Sequence, residues 1–62
     1  MNKMKLNELI TLTRIDETTL YVNSNYVTAF YHKKSWGYTI VRLVDGTKLD
    51  VKDSVESIAR YF

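Results

Sequence analysis

The sequence contains no cysteine and no proline, and only two glycines and one histidine among its 62 residues. Without cysteine it can form neither a disulfide framework nor a thiolate zinc site. No apolar run approaches the ~20 residues that a transmembrane helix needs. The two glycines, Gly37 and Gly46, are isolated and form no phosphate-binding loop. Because His32 has no nucleophile or carboxylate at a suitable spacing, we predict no catalytic residue, no metal site and no cofactor.

The size and charge of the chain limit its class. A chain this short forms one domain and hides only ~60% of the surface that its unfolded form exposes. Self-association is the remaining way to add stability, so we expect a homo-oligomer. Residues 1–62 are expected to form one small β-rich domain, whose first seven residues are disordered. The net charge of +2 and the pI of about 9.0 are only mildly basic. No apolar signal segment follows the first lysines, and we expect a cytoplasmic protein without a membrane span.

Alternating apolar and polar residues predict a mainly β fold. The predicted strands cover residues 9–14, 18–22, 26–31, 38–43 and 47–51. Strands one and two form a hairpin around a tight turn at Asp16-Glu17. We expect a small bent antiparallel sheet or partly open barrel of five strands, followed by one C-terminal helix.

The loop before the fifth strand sets which side chains are buried. A two-residue Asp45-Gly46 turn would place Arg42 in the core beside Leu49. A three-residue loop, residues 44–46, instead gives Gly46 the left-handed position and pairs Val41 with Leu49. This second register collects the apolar residues on one face, and we therefore predict it. Arg42 and Lys48 are then exposed neighbours.

The last ten residues have the pattern of an amphipathic helix. Val55, Ile58, Ala59 and Phe62 recur at helical spacing. Asp53 is predicted as the N-cap, with Glu56 completing a capping box. Such a short helix is stable only when it packs on the sheet or on a partner.

The third strand is apolar on both parities. Tyr26 and Phe30 share one parity, while Val27, Ala29 and Tyr31 share the other. In a flat sheet only one set enters the core, and the other would extend an exposed patch that favours an interface. A strongly bent sheet that buries both sets is the alternative. The candidate interface residues are Tyr26, Phe30, Tyr31, Trp36, Tyr38 and Ile40.

Residues 31–38 combine aromatic side chains with Lys33 and Lys34. Such a segment can stack on bases and contact phosphates. It can equally be a loop that folds back over the sheet with lysines that keep an edge soluble, or an anchor for a protein partner. For nucleic acid, the candidate contacts are Arg14, Lys33, Lys34 and Arg42.

Several segments resemble the flagellar and swarming motility family of the FlbD type. They are Ile10-Thr11-Leu12-Thr13-Arg14-Ile15-Asp16, Leu20, Val22-Asn23, Val27, Leu43-Val44-Asp45-Gly46 and Val51-Lys52-Asp53-Ser54-Val55. The first turn departs from the family, which tends to have Asn-Gly where Asp16-Glu17 stands here. The resemblance implies a role in bacterial motility but carries over no catalytic residue.

Two functions follow as expectations. The first is a non-enzymatic protein-interaction module that serves as an adaptor or assembly factor. The second is a nucleic-acid-binding regulator, because the plan of strands, turn and helix is also similar to LytTR-type DNA-binding domains, although fold alone does not give function. A small protein of a phage or mobile element is the remaining alternative.

Overall fold

The computed structural model describes residues 8–35 and 37–62. The expected disorder of residues 1–7 and the position of Trp36 lie outside the described residues. The elements, in chain order, are β1 (Leu9–Thr13), β2 (Thr19–Asn23), a 3-10 turn (Ser24–Tyr26), β3 (Val27–Lys33), β4 (Tyr38–Leu43), β5 (Lys48–Val51) and α1 (Val55–Ala59).

The five strands form two antiparallel sheets instead of one continuous bent sheet. β1 pairs with β2, and the second sheet has the order β3-β4-β5. The two sheets meet where β1 ends, because Arg14 forms a single bridge with Val51 and the Lys52 amide donates to the Thr13 carbonyl at 2.8 Å. The prediction of a mainly β fold with a C-terminal helix is confirmed.

The second hairpin has the predicted register. Val41 lies opposite Leu49, and Arg42 lies opposite Lys48. The Gly46 amide donates to the Leu43 carbonyl at 2.9 Å, which closes the three-residue loop. Gly46 has a φ of 92°, a conformation in which a side chain costs energy. The prediction from the hydrophobic pattern is therefore confirmed.

The first hairpin has the same loop geometry, which the sequence did not predict. The Arg14 amide donates to the Thr18 carbonyl at 2.8 Å, and the Glu17 amide donates to the Arg14 carbonyl at 2.9 Å. Residues 15–17 thus form a three-residue loop rather than a tight Asp16-Glu17 turn. Glu17 takes the left-handed position with a φ of 77°. Its carboxylate forms an exposed ion pair with Lys52.

A β-bulge near the start of β3 changes which side chains face the core. Val27 lies opposite Leu43, yet Ala29 lies opposite Arg42, so one extra residue is accommodated between them. As a result Val27 and Phe30, which have opposite parity in the sequence, both pack against the core. The division of β3 into two alternating sets is wrong for this reason.

The core lies between the two sheets and the helix. Its buried side chains are Ile10, Leu12, Val22, Val41, Val51 and Ile58. Partly buried apolar residues surround them: Leu20, Val27, Phe30, Leu43, Leu49 and Tyr61. Val41 and Leu49, which the predicted register pairs on the core side, both belong to these groups, whereas Ile40 of β4 belongs to neither.

The C-terminal helix is shorter than predicted and has a different cap. Ser54 is the N-cap, and its side chain accepts from the Ser57 amide at 3.1 Å. Asp53 lies one residue earlier and accepts instead from the Thr13 amide of β1 at 2.6 Å. Because the helix ends at Ala59, Tyr61 packs on the core while Phe62 is 62% exposed. None of the described helical segments has the length and apolar character required to cross a bilayer.

Candidate binding surface

The β3-β4-β5 sheet has a second face, turned away from the core, which we call the outer face. Its side chains follow from the register: Ala29, Tyr31 and Lys33 of β3, Tyr38, Ile40 and Arg42 of β4, and Lys48 and Asp50 of β5. Cross-strand partners project on the same side of a sheet, so these residues form rows. The outer face therefore combines aromatic and charged residues.

The predicted interface residues are distributed over different parts of the structure. Phe30 packs on the core and stacks on Phe62 with ring centroids 5.7 Å apart. Ile40 is only 6% exposed, because β4 is the central strand and its neighbours flank it on both sides. Tyr31 is 42% exposed on the outer face, and Tyr26 is exposed beyond the start of β3. Of the predicted interface residues, the outer face therefore exposes only Tyr31 and part of Tyr38 among those that the structure describes.

The predicted nucleic-acid contacts are also separated. Lys33 and Arg42 lie on the outer face and are exposed, whereas Lys34 lies in the β3-β4 loop and Arg14 lies at the end of β1. Lys48 was missing from the predicted set, although the predicted register already placed it opposite Arg42. The ion pair between Lys52 and Glu17 involves none of these five cations.

Asp50 interacts with a tyrosine instead of with a cation. Desolvation of the Tyr38 phenol, together with the negative charge of the nearby Asp50 carboxylate, raises the pKa of Tyr38 above its usual value. Asp50 is the only described acid of the outer face. Lys33, Arg42 and Lys48 outnumber this carboxylate, so the outer face keeps a net positive charge.

A groove connects this face to the first hairpin. It has a volume of about 310 Å³ and is lined by Arg14, Ile15, Asp16, Lys48, Leu49 and Asp50. The pKa of Asp16 is lowered, chiefly by the hydrogen bond from the Thr18 hydroxyl and partly by the positive charge of Arg14. The groove thus brings Arg14 into the neighbourhood of Lys48, which the sequence alone could not show.

The outward edge of β3 is unpaired. β3 is the longest described strand, with seven residues, and it pairs only with β4 among residues 8–35 and 37–62. Because Leu43 bonds to the β5 side and Tyr31 lies opposite Ile40, the backbone groups of Phe30 and His32 point away from β4. No proline occurs in this strand, and no residue from Val27 to His32 carries a formal charge when histidine is neutral.

The other edges differ from that of β3. The C-terminal segment covers β1, because Asp53 and Lys52 bond to Thr13 and the Tyr61 hydroxyl lies 3.4 Å from the Thr11 amide nitrogen. β2 has a free edge but only five residues. The free backbone of β3 is thus the longest accessible edge in the described part of the molecule.

His32 lies within β3 and not in a loop, with an exposed side chain. It borders a second groove of about 400 Å³, beside Lys52 and Glu56. Within the described residues, no three His, Cys, Asp or Glu side chains are grouped so that they could hold a metal ion.

Comparison with protein-family models, with curated proteins and with solved structures gives no match to this chain.

Proposed function

We propose that this chain is a small non-enzymatic protein-interaction module that associates with a second copy of itself through the free edge of β3. The observation that carries the proposal is the uncharged backbone edge from Val27 to His32, which is paired on one side only. An exposed strand edge offers a row of unused hydrogen-bonding groups to another strand. Two identical edges satisfy one another in an antiparallel dimer, the commonest closed arrangement.

The small core gives this association a physical reason. Only seven apolar residues are buried within the described chain. A domain of this size is marginally stable, and any association that requires the folded state adds to its stability by mass action. Joining two β3 edges would extend each three-stranded sheet to six strands. This pairing of edges would leave the core residues on the inner face of each sheet buried.

The biological setting follows from the resemblance to the FlbD type. A self-associating module without catalytic residues fits an adaptor or assembly factor in bacterial motility. The resemblance to the motility family supports this role, and the exposed edge supports the interaction itself.

Sedimentation equilibrium over micromolar concentrations tests the association. We expect a dimer for the wild type and a monomer for His32→Pro, because proline removes the outward amide of β3 but none of the bonds to β4. Tyr21→Pro is the matched control. The register directs the Tyr21 amide to the free edge of β2, and the dimer should persist in this variant.

A second variant keeps the test independent of backbone effects. His32→Lys introduces a charge on the otherwise uncharged edge and should also shift the protein towards monomer. Circular dichroism verifies that each variant is folded. A wild-type monomer at high micromolar concentration, or a dimer that is lost only in Tyr21→Pro, would refute the pairing of β3.

A further inference from the structure

We infer that the outer face of the β3-β4-β5 sheet binds single-stranded nucleic acid, with Lys33, Arg42 and Lys48 contacting phosphates and Tyr31 stacking on a base. This site is separate from the proposed β3 edge, because it uses side chains of the sheet face rather than outward backbone groups. If the outer face does not bind nucleic acid, the proposed self-association through the β3 edge is unaffected.

The outer face contains a like-charge pair. Arg42 and Lys48 lie directly opposite each other on neighbouring strands, and both are exposed. Like charges in this position destabilise a sheet. Asp50, the nearest acid on β5, forms an ion pair with neither of them. An anion bound from solution would convert this unfavourable pair into a favourable site.

The outer face also places an aromatic side chain among cationic ones. Tyr31 occupies the row next to Arg42, with the buried Ile40 as its cross-strand partner. Its 42% exposure leaves part of the ring open to solvent. Lys33 follows two residues later on the same strand and the same face. Aromatic rings flanked by cations along an open surface are typical of sites for single strands, whose bases are free to stack.

The groove extends the positive surface beyond the sheet. Arg14 and Lys48 both line it, and they connect the outer face to the first hairpin. The Asp16 carboxylate lines the same groove and repels phosphates, so we expect the phosphates to bind nearer to Lys48 than to Asp16. A duplex is a poorer match than a single strand, because this flat face offers no helix or two-stranded ribbon that projects into a groove of DNA.

Fluorescence anisotropy with a labelled oligo-dT of about twelve nucleotides tests the inference. Three phosphate contacts on a single strand give a slope of about −2 for log K against log salt, so affinity should fall about 100-fold between about 20 and about 200 mM salt. Arg42→Ala should reduce this salt effect to about 25-fold, because one contact is lost. Arg60→Ala removes the same charge from the end of the helix and should leave the slope unchanged.

Tyr31→Ala separates nucleic acid from other polyanions. Loss of one stacked base should weaken oligo-dT binding by about 5-fold or more without altering the salt slope. The measurements are repeated in the His32→Pro background so that the result does not depend on self-association. Absence of binding at low salt would overturn the inference, as would equal effects of Arg42→Ala and Arg60→Ala. Equal binding of polyglutamate with no effect of Tyr31→Ala would also overturn it.

Discussion

Replacing Asp53 with alanine should destabilise the protein through β1 rather than through the helix. The Asp53 carboxylate is partly buried and accepts from the Thr13 amide at 2.6 Å. A hydrogen bond to a charged group contributes about 1.5–3 kcal/mol, and its loss leaves a partly buried amide without a partner. We therefore expect Asp53→Ala to lower the free energy of unfolding by about 1.5–3 kcal/mol. Asp53→Asn should cost about half as much, because a neutral acceptor is weaker.

Ser54→Ala is the matched comparison, since Ser54 is the residue that caps the helix. Its loss should cost about 1 kcal/mol, as is usual for an N-cap serine. Urea denaturation measures both free energies. Hydrogen exchange then locates the effect, because the Thr13 amide should lose protection in Asp53→Ala and keep it in Ser54→Ala.

The opposite pattern would refute this reasoning. If Ser54→Ala were as costly as Asp53→Ala and the Thr13 amide exchanged equally in both variants, Asp53 would not hold β1. A loss of helical circular dichroism in Asp53→Ala alone would instead make it the helix cap.

Three further predictions concern the core and the hairpin loops. Ile58→Ala removes a fully buried side chain that joins the helix to the core, and thermal unfolding should show that the free energy of unfolding falls by ~2–5 kcal/mol. An unchanged melting temperature would mean that the helix does not pack on the sheets. Gly46→Val should cost about 1–2 kcal/mol in urea, through the left-handed backbone alone, because a Cβ at this position meets no atom within 4 Å. The pKa values of Asp16 and Asp45 are lowered from 3.8, mainly by hydrogen bonds from the Thr18 side chain and the Thr47 backbone respectively. The two carboxylates therefore stabilise the folded state above pH 3.8, and this stabilisation is lost as the pH falls through their lower folded-state pKa values. When the free energy of unfolding is measured against pH, the Asp16→Asn, Asp45→Asn double variant should show a smaller decrease in acid than the wild type.

The candidate surface could be predicted only in part from the sequence. The predicted register places Arg42 and Lys48 together, because hairpin pairing is a local property of one loop and its two strands. The exposure of Ile40 could not be predicted in the same way, because its burial depends on the tertiary surroundings of the central strand and not on one hairpin. Likewise, the groove that joins Arg14 to Lys48 exists only where the two sheets meet.

The sequence by itself determined the number of strands, the three-residue loop at Gly46 and the presence of an apolar C-terminal helix. Each of these rests on residues close together in the chain, where periodicity and turn preferences decide the conformation. Only the tertiary structure decided the bulge before Ala29, which turns both Val27 and Phe30 to the core. It also assigned Asp53 to Thr13, 40 residues away, rather than to the adjacent helix. A carboxylate at a helix start can satisfy either amide, and the choice depends on which unpaired strand the fold brings beside it.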